Sequence, residues 1–226
     1  MKRSEINQAI KDMEKLLQKY CMSLPPFCSW TPEEWADKNS EYDEIRDNQL
    51  GWDITDFGKG HFDTCGFALI TLRNGNQKNK AYKKVYAEKY LMLKEGQTAL
   101  MHYHWYKSED LINRAGGTLL ITLYNGNEER EKLATDVLVN KDGRSFYVKA
   151  GTTIELLPGE SLTIWQYQYH DFAVKEGTGS VVIGEVSQCN DDESDNCFFE
   201  NTLRFPQIEE DEKPYRFLCT EYPKLQ

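Results

Sequence analysis

The stretch GQTALMHYHWYKSEDLINRAGG, residues 96–117, carries the strongest structural signal in this chain. It contains two of the only four histidines, His102 and His104, separated by one residue. In a β-strand alternate side chains point to the same face, so this spacing places the two imidazoles side by side. Glu109 follows His104 by five residues, and the short stretch between them can bend back to bring the carboxylate to the same point. Two nitrogens and one oxygen would then share one metal ion.

A fourth ligand has to come from one of the two remaining histidines, His61 and His170. The stretch SLTIWQYQYHDF, residues 161–172, is predicted to be a strand whose one face changes from apolar to polar and ends at His170. Such a row of polar side chains is typical of a solvent-filled cavity, whereas His61 lies in GKGHFDT without any such pattern. We therefore predict His170 as the fourth ligand and His61 as a surface or packing residue. A set of three histidines and one glutamate with open positions suits manganese, iron or another first-row divalent ion better than structural zinc.

The composition describes a folded protein that acts on something other than nucleic acid. The chain has 226 residues, 39% of them hydrophobic, and a formal net charge of −10. This charge argues against nucleic-acid and anionic-membrane partners, because both require a basic face. No apolar run approaches the roughly 20 residues of a membrane helix, and the N-terminus lacks the apolar core of a signal peptide, so we expect a cytoplasmic protein. The six cysteines form no CxxC pair, and we expect free thiols.

The N-terminal part of the chain has a helical pattern. Ser4 is predicted to cap a first helix, which has apolar residues at helical spacing. The sequence Thr31-Pro32-Glu33-Glu34 is a capping box that predicts the start of a second helix. We expect residues 1–50 to form a helical extension that packs on the rest of the protein.

From about residue 52 the pattern changes to short runs of β-branched and aromatic residues with turn signals between them. This rhythm is typical of an antiparallel β-sandwich or barrel. No linker divides the chain, so we predict one domain over residues 1–226. The acidic and proline-marked end of the chain, residues 190–226, is expected to lie over the barrel as an extended segment.

The segment that contains the two histidines has the form Gly-x5-His-x-His-x4-Glu-x6-Gly, and its five defining residues are Gly96, His102, His104, Glu109 and Gly116. This pattern resembles the first motif of the cupin superfamily. The resemblance implies an all-β fold, the cupin double-stranded β-helix, an antiparallel barrel or jelly roll. The second cupin motif is only partly present, because a leucine and a valine replace its proline and asparagine and its histidine comes much later.

Several stretches outside the ligand set are similar to the D-lyxose isomerases, which are cupin ketol-isomerases of about this length. They are MKRSEIN, LPPFCSWTPEEW, YAEKYLML, HWYKSEDLINRAGG and the acidic VSQCNDDESDNCFFENTLRFPQIEEDE after the barrel. The resemblance covers the chain from end to end. It implies interconversion of D-lyxose with D-xylulose and of D-mannose with D-fructose, and it implies one divalent metal ion per subunit, usually Mn²⁺.

Aldose–ketose isomerisation requires a base that carries a proton between C1 and C2, and Glu109 is already assigned to the metal. We predict Glu200, in FFENTLRF, as this base, because two phenylalanines would desolvate its carboxylate and raise its pKa. Lys107 is predicted to steady the developing enediolate, and Lys89 to hydrogen-bond a sugar hydroxyl. Further candidates for substrate binding are Asp191, Arg204 and Trp30.

The predicted reaction is ring opening followed by proton transfer through a cis-enediol, with a hydride shift as the competing mechanism. Three other functions stay open on the sequence alone: a cupin phosphosugar isomerase, a metal-dependent cupin dioxygenase and a non-catalytic sugar-binding cupin. The expected partner is a free monosaccharide, and a homodimer is expected because cupins commonly pair through their sheets.

Overall fold

Antiparallel strands make up most of the protein in a computed structural model, which describes residues 1–224. In chain order the strands are β1 (Gly51–Thr55), β2 (Phe67–Arg73), β3 (Tyr86–Leu93), β4 (Thr98–His104), β5 (Glu109–Gly116), β6 (Leu119–Gly126), β7 (Lys132–Leu133), β8 (Val137–Lys141), β9 (Arg144–Val148), β10 (Thr152–Leu156), β11 (Ser161–Ile164), β12 (Gln168–Val174), β13 (Val181–Gln188) and β14 (Asn196–Phe198). Eight of them form one sheet in the order β1-β2-β3-β13-β5-β11-β8-β9. The other sheet has the order β10-β6-β12-β4-β14, with β7 paired to β6. The predicted all-β antiparallel class is confirmed.

The main hydrophobic core lies between the two sheets. It contains inward-facing residues of both, among them Leu91, Leu111, Ile121, Leu162 and Ile183. Side chains alternate along β5, where every second residue is buried, as expected for a strand that has only one face in the core. Several of these core residues also line the polar site described below.

A first helix, α1 (Arg3–Lys19), covers the outer face of the eight-stranded sheet. Its buried apolar residues recur at helical spacing and pack with side chains of β1 and β2, such as Trp52 and Ile70. Both faces of these two strands are therefore buried, and β1 is buried at every position. This explains why β2, FALITLR, is an apolar run rather than an alternating one.

The start of α1 differs from the prediction, which placed the cap at Ser4. The N-cap is Lys2, and Ser4 lies inside the first turn. The backbone N–H and the hydroxyl of Ser4 both donate to the Asp211 carboxylate, at 2.9 and 2.6 Å. The cap prediction is wrong because a carboxylate from the end of the chain satisfies the free N–H groups of the helix.

The second predicted helix is confirmed but short. Helix α2 (Pro32–Trp35) begins at the capping box, in which Thr31 accepts from the Glu34 N–H at 3.2 Å and Glu34 accepts from the Thr31 N–H at 2.8 Å. A further short helix, α3 (Asp43–Asp47), leads into β1.

The predicted strand over residues 161–172 is two strands. β11 ends at Ile164 in the eight-stranded sheet, and β12 begins at Gln168 in the other sheet. The intervening turn contains Tyr167 with a φ of 60°. The predicted continuous glutamine face is therefore wrong: Gln168 donates to the Leu138 carbonyl instead of facing the cavity.

The C-terminal part of the chain first joins the barrel and then leaves it for α1. β14 pairs with β4, and Phe198 lies opposite His102. Farther on, Glu210 pairs with Arg3, and Glu212 accepts from the Asn7 side chain at 2.6 Å. The tail therefore lies along α1, in addition to the barrel on which it was expected.

All six cysteines lie within the described residues and are free thiols, as predicted. Among residues 1–224, no helix is long and apolar enough to cross a lipid bilayer.

Candidate active site

Three strands bring the four predicted metal ligands together. His102 and His104 lie on β4, and His170 lies directly opposite His102 on the neighbouring β12. Residues 105–108 then carry the chain from one sheet to the other, and Glu109 is the first residue of β5. The short His-to-Glu spacing of the sequence is therefore the crossing between the two sheets, which makes the carboxylate face the imidazoles.

The distances fit a shared ion. One ring nitrogen from each of His102, His104 and His170 lies within 4.8 Å of the others. The Glu109 carboxylate lies between two of the rings, with its Oε2 3.2 Å from His104 Nε2 and its Oε1 3.3 Å from His170 Nε2.

Backbone carbonyls orient two of the imidazoles. The Nδ1 of His102 lies 2.8 Å from the Leu100 carbonyl, and the Nδ1 of His170 lies 2.9 Å from the Gln168 carbonyl. Each carbonyl fixes the proton on Nδ1 and leaves Nε2 as the free electron-pair donor.

The polar atoms that face the centre lack hydrogen-bond partners of good geometry. They include the Nε2 of His104, the Nε2 of His170 and the Oε2 of Glu109, all of them buried and without a partner among the described residues. Buried polar atoms without partners are costly unless something else satisfies them. One divalent cation would satisfy them together, and the imidazole and carboxylate donors are of the type that such an ion takes. The residues therefore fit a metal ion.

The surroundings of His102, His104 and Glu109 shift their pKa values in directions that favour cation binding. Burial, together with the neighbouring imidazoles, lowers the pKa of His102 well below its usual value. Burial and the Lys107 charge lower the pKa of His104. Burial alone would raise the pKa of Glu109, but Lys107 and His104 hold it well below its usual range. His102 and His104 are therefore neutral and Glu109 is charged near neutral pH, which are the forms that bind metals.

Two buried lysines lie beside the ligands. Lys107 donates to the Glu185 carboxylate at 2.8 Å and lies 3.0 Å from Glu109. Lys89 lies 3.2 Å from the same Glu185 oxygen. Burial alone would lower the pKa of Lys107, but the carboxylates of Glu109 and Glu185 raise it, so the ammonium group keeps its proton.

Arg204 forms the far polar wall. Its Nη2 contacts the carboxylate of Asp53 and lies 3.2 Å from that of Asp192, and its Nη1 is buried without a partner among the described residues. Arg204 and Asp192 both line the cavity. The guanidinium group therefore has a free donor at a wall of the cavity.

The cavity has two unlike walls. Metal ligands and charged groups form one side. The apolar side consists of Phe57, Phe67, Leu69, Leu91, Phe172 and Phe198. A polyol with a hydroxyl-rich side and a C–H side would match both walls.

Of the other predicted site residues, Lys89, Lys107 and Arg204 line this cavity, and three do not. Glu200 is 65% exposed and pairs with Lys59 at 3.0 Å, so the desolvation expected from its two phenylalanines is absent. Asp191 pairs with Lys78 on a separate polar surface. Trp30 packs edge-on against Trp35, in an aromatic cluster of the N-terminal extension.

The sequence reasoning missed Glu185 and Asp192. Glu185 had a readable signal: it lies on β13, in VVIGEVSQ, on the same inward face as Val181 and Ile183. A charged residue on the core face of an apolar strand is unusual unless it is paired or functional. Asp192 lies in an acidic stretch without periodicity, and no pattern separated it from its neighbours.

Comparisons with known proteins identify the family of this chain. The sequence model of the D-lyxose isomerase family matches residues 1–222. The chain is 42% identical to the D-lyxose/D-mannose isomerase of Serratia proteamaculans over 223 residues, which are 98% of this chain and 98% of that protein. It is 40% identical to the D-lyxose/D-mannose isomerase of Escherichia coli O157:H7, with the same coverage.

Among solved structures, the L-ribose isomerase of Cellulomonas parahominis with L-psicose has a TM-score of 0.62 at 12% identity, covering 92% of this chain and 98% of that one. At this identity the likeness shows a shared fold. The family match and the two relatives cover almost the whole chain. The protein therefore belongs to the D-lyxose isomerase family and is a sugar isomerase.

Proposed function

We propose that the protein is a divalent-metal-dependent aldose–ketose isomerase that interconverts D-lyxose with D-xylulose and D-mannose with D-fructose. One observation carries the proposal: a buried carboxylate that is not needed as a ligand, Glu185, faces the same cavity as the four metal-ligand candidates. The names of the two relatives support the choice of sugars. His102, His104, Glu109 and His170 would hold the ion, with Mn²⁺ as the proposed metal.

The chemistry that a bound divalent ion supplies is polarisation of the oxygens on C1 and C2. Glu185 takes the proton from C2 of the open-chain aldose and returns it to C1, so that a cis-enediol lies between aldose and ketose. Lys107 keeps a positive charge beside the oxygen that becomes negative. Lys89 and the free Nη1 of Arg204 donate hydrogen bonds to sugar hydroxyls.

The charge pattern favours a free sugar over a phosphosugar. Each of the three cations that line the cavity, Lys89, Lys107 and Arg204, already contacts a carboxylate. A phosphate group needs cationic donors that are not neutralised in this way. The cavity residues therefore support the free monosaccharide, and the phosphosugar alternative has no observation in its favour.

The first experiment is an activity screen. Protein loaded with Mn²⁺ is incubated with free pentoses and hexoses, and ketose is measured. We expect D-xylulose from D-lyxose and D-fructose from D-mannose, both lost after chelation. Absence of ketose from both sugars would contradict the proposal.

The choice of base is tested by two matched substitutions. We expect Glu185→Gln to lower kcat by about 10²- to 10⁴-fold while the protein retains its metal, because the amide cannot accept the proton. Glu200→Gln, which changes the base predicted from the sequence, should leave kcat within about threefold. The opposite pattern would restore Glu200 as the base.

The proton-transfer step is tested in deuterated water. A cis-enediol exchanges its mobile proton with solvent, so we expect deuterium at C1 of the ketose product. Complete retention of the original hydrogen would favour the hydride shift.

A further inference from the structure

Asn190 contacts both active-site lysines without touching the cavity. Its Oδ1 accepts from Lys89 Nζ at 2.6 Å and from Lys107 Nζ at 3.1 Å. The residue lies just after the end of β13, the strand that carries Glu185. It is not among the residues that line the cavity. An effect of Asn190 on the reaction would therefore pass through the two lysines, or through Asp192, to which the Asn190 side chain also hydrogen-bonds.

Two further asparagines hold the backbone around Asn190. The Asn190 N–H donates to the Asn74 Oδ1 at 2.9 Å, and the Asn74 Nδ2 donates back to the Asn190 carbonyl at 3.0 Å. Asn74 is in turn tied to Asn48, whose Nδ2 donates to the Asn74 carbonyl at 3.1 Å. Asn48 and Asn74 are buried. The backbone of Asn190 is thus fixed by bonds that do not involve its own side chain.

The contacts fix the orientation of the Asn190 amide. A lysine ammonium group can only donate, so the atom that faces both lysines has to be the oxygen. With this oxygen in place, Lys89 and Lys107 have a common acceptor on one side and a common carboxylate, Glu185, on the other. Each ammonium group is held between the two.

A neutral acceptor matters at this position. Lys107 already contacts the carboxylates of Glu109 and Glu185, and Lys89 lies 4.0 Å from that of Asp192. A carboxylate at position 190 would compete with Glu185 for both lysines and would add a negative charge where the reaction itself develops one. An amide oxygen holds the lysines and adds no charge.

We propose that Asn190 is a positioning residue of the isomerase site, whose neutral amide oxygen aims Lys89 and Lys107 at Glu185 and the substrate. The inference rests on the proposed function, since it assigns a role to residues of that site. Outer partners that orient active-site groups change activity or affinity by about 10- to 100-fold when they are lost.

The test compares Asn190→Ala and Asn190→Asp with wild type and with Asn76→Ala. Asn76 lies on the same polar surface and bonds to Asp47 and Asn48 but to neither lysine. All four holoproteins are assayed with D-lyxose and Mn²⁺, and kcat is expressed per bound metal ion. The aspartate variant has the same shape as asparagine, and it carries the test if the alanine variant does not fold.

We expect kcat per bound metal to fall at least tenfold in both Asn190 variants, with KM within about threefold of wild type, and to stay unchanged in Asn76→Ala. A loss of stability alone would lower the metal content and the folded fraction but not kcat per bound metal. A loss below tenfold in either Asn190 variant, or a change mainly in KM, overturns the inference. Failure of the proposed function is distinct, because the wild-type protein would then form no ketose.

Discussion

Two buried carboxylates, Glu109 and Glu185, face the same cavity but differ in their surroundings. Glu109 lies against two imidazoles and one ammonium group, whereas the ion pairs of Glu185 within residues 1–224 are with the two lysines. These neighbours support the proposed division, in which Glu109 binds the metal and Glu185 transfers the proton. Two carboxylates in one site commonly divide their functions in this way.

A substitution of Glu109 should affect the metal first. We expect Glu109→Gln to weaken Mn²⁺ binding by at least about tenfold, because the amide loses the charge that attracts the cation. Isothermal titration of the chelator-treated protein measures this. Asp110→Asn is the matched control, since Asp110 is the next residue on β5, faces outward and bonds to Thr163. Equal affinities in the two variants would contradict the ligand assignment.

The buried histidines should make the metal-free protein sensitive to mild acid. Burial lowers the pKa of His102 and His104, so the unfolded chain takes up protons near pH 6.5 that the folded chain does not. Their stabilising contribution is complete above pH 6.5 and declines as the pH falls below it, by up to about 1.4 kcal/mol per histidine per pH unit.

Thermal or urea unfolding of the chelator-treated protein at pH 7.5 and 5.5 measures this decline. His61→Gln should leave the difference unchanged, because His61 is exposed. A metal-free protein equally stable at both values would show that the histidines are not held neutral by the fold.

At the scale of single residues, the sequence predicted which side chains cluster better than which glutamate is buried. His102, His104 and Glu109 lie within eight positions of one another, so strand alternation and one crossing suffice to bring them together. Whether a glutamate is desolvated depends on the packing of distant segments. The two phenylalanines before Glu200 gave no information on this, and the carboxylate lies in solvent.

At the scale of strands and turns, two glycines of the histidine segment have unlike surroundings. Gly96 and Gly116 both have a positive φ, of 88° and 99°. A Cβ on Gly96 would meet nothing within 4 Å, but one on Gly116 would lie 2.1 Å from the Ser180 carbonyl oxygen. Glycine is therefore favoured at position 96 by its backbone conformation alone. At position 116 it is favoured both by the backbone conformation and by the lack of space for a side chain.

Alanine substitution should separate the cost of a positive φ from the cost of the steric clash. We expect Gly96→Ala to lower the free energy of unfolding by about 1–2 kcal/mol, the cost of a side chain at positive φ. Gly116→Ala should cost about 1–3 kcal/mol more, because the backbone of β13 would have to move. Urea unfolding of both variants checks the order. A larger loss at Gly96 would contradict it.

The positions of strands could be predicted where one face of the strand is buried. They were harder to predict where the chain passes from one sheet to the other. The pattern of residues 161–172 is alternating throughout, so nothing in it marks the break between β11 and β12. The break depends on the closure of the barrel, which requires the chain to pass from one sheet to the other. His170 nevertheless reaches the site, because β12 pairs with β4.

At the scale of the whole molecule, ion pairs of a buried arginine connect α1 to the C-terminal segment. Arg3 is 2% exposed and pairs with Glu210 and Glu221. Three members of the acidic run at residues 209–212 bond to the first turns of α1. Pairings across more than 200 positions leave no local pattern, which is why the path of the tail was not predictable.

The loss of this contact should destabilise the fold. We expect Arg3→Leu to lower the free energy of unfolding by about 1–3 kcal/mol, less than for a fully buried pair because Glu210 remains half exposed. Lys175→Ala, which removes the exposed pair with Glu155, should cost less than about 1 kcal/mol. Thermal unfolding of the two variants tests this, and equal effects would mean that the Arg3 contacts add little.

The joining of the chain ends also sets an order of events during synthesis. Arg3 and the first turn of α1 are synthesised more than 200 residues before Glu210 and Glu221. The helix can therefore complete these contacts only after the segment with the two glutamates has left the ribosome. A nascent chain that stops before Glu210 would retain a guanidinium group without its carboxylates, so the contact distinguishes chains that include this segment from chains truncated before it.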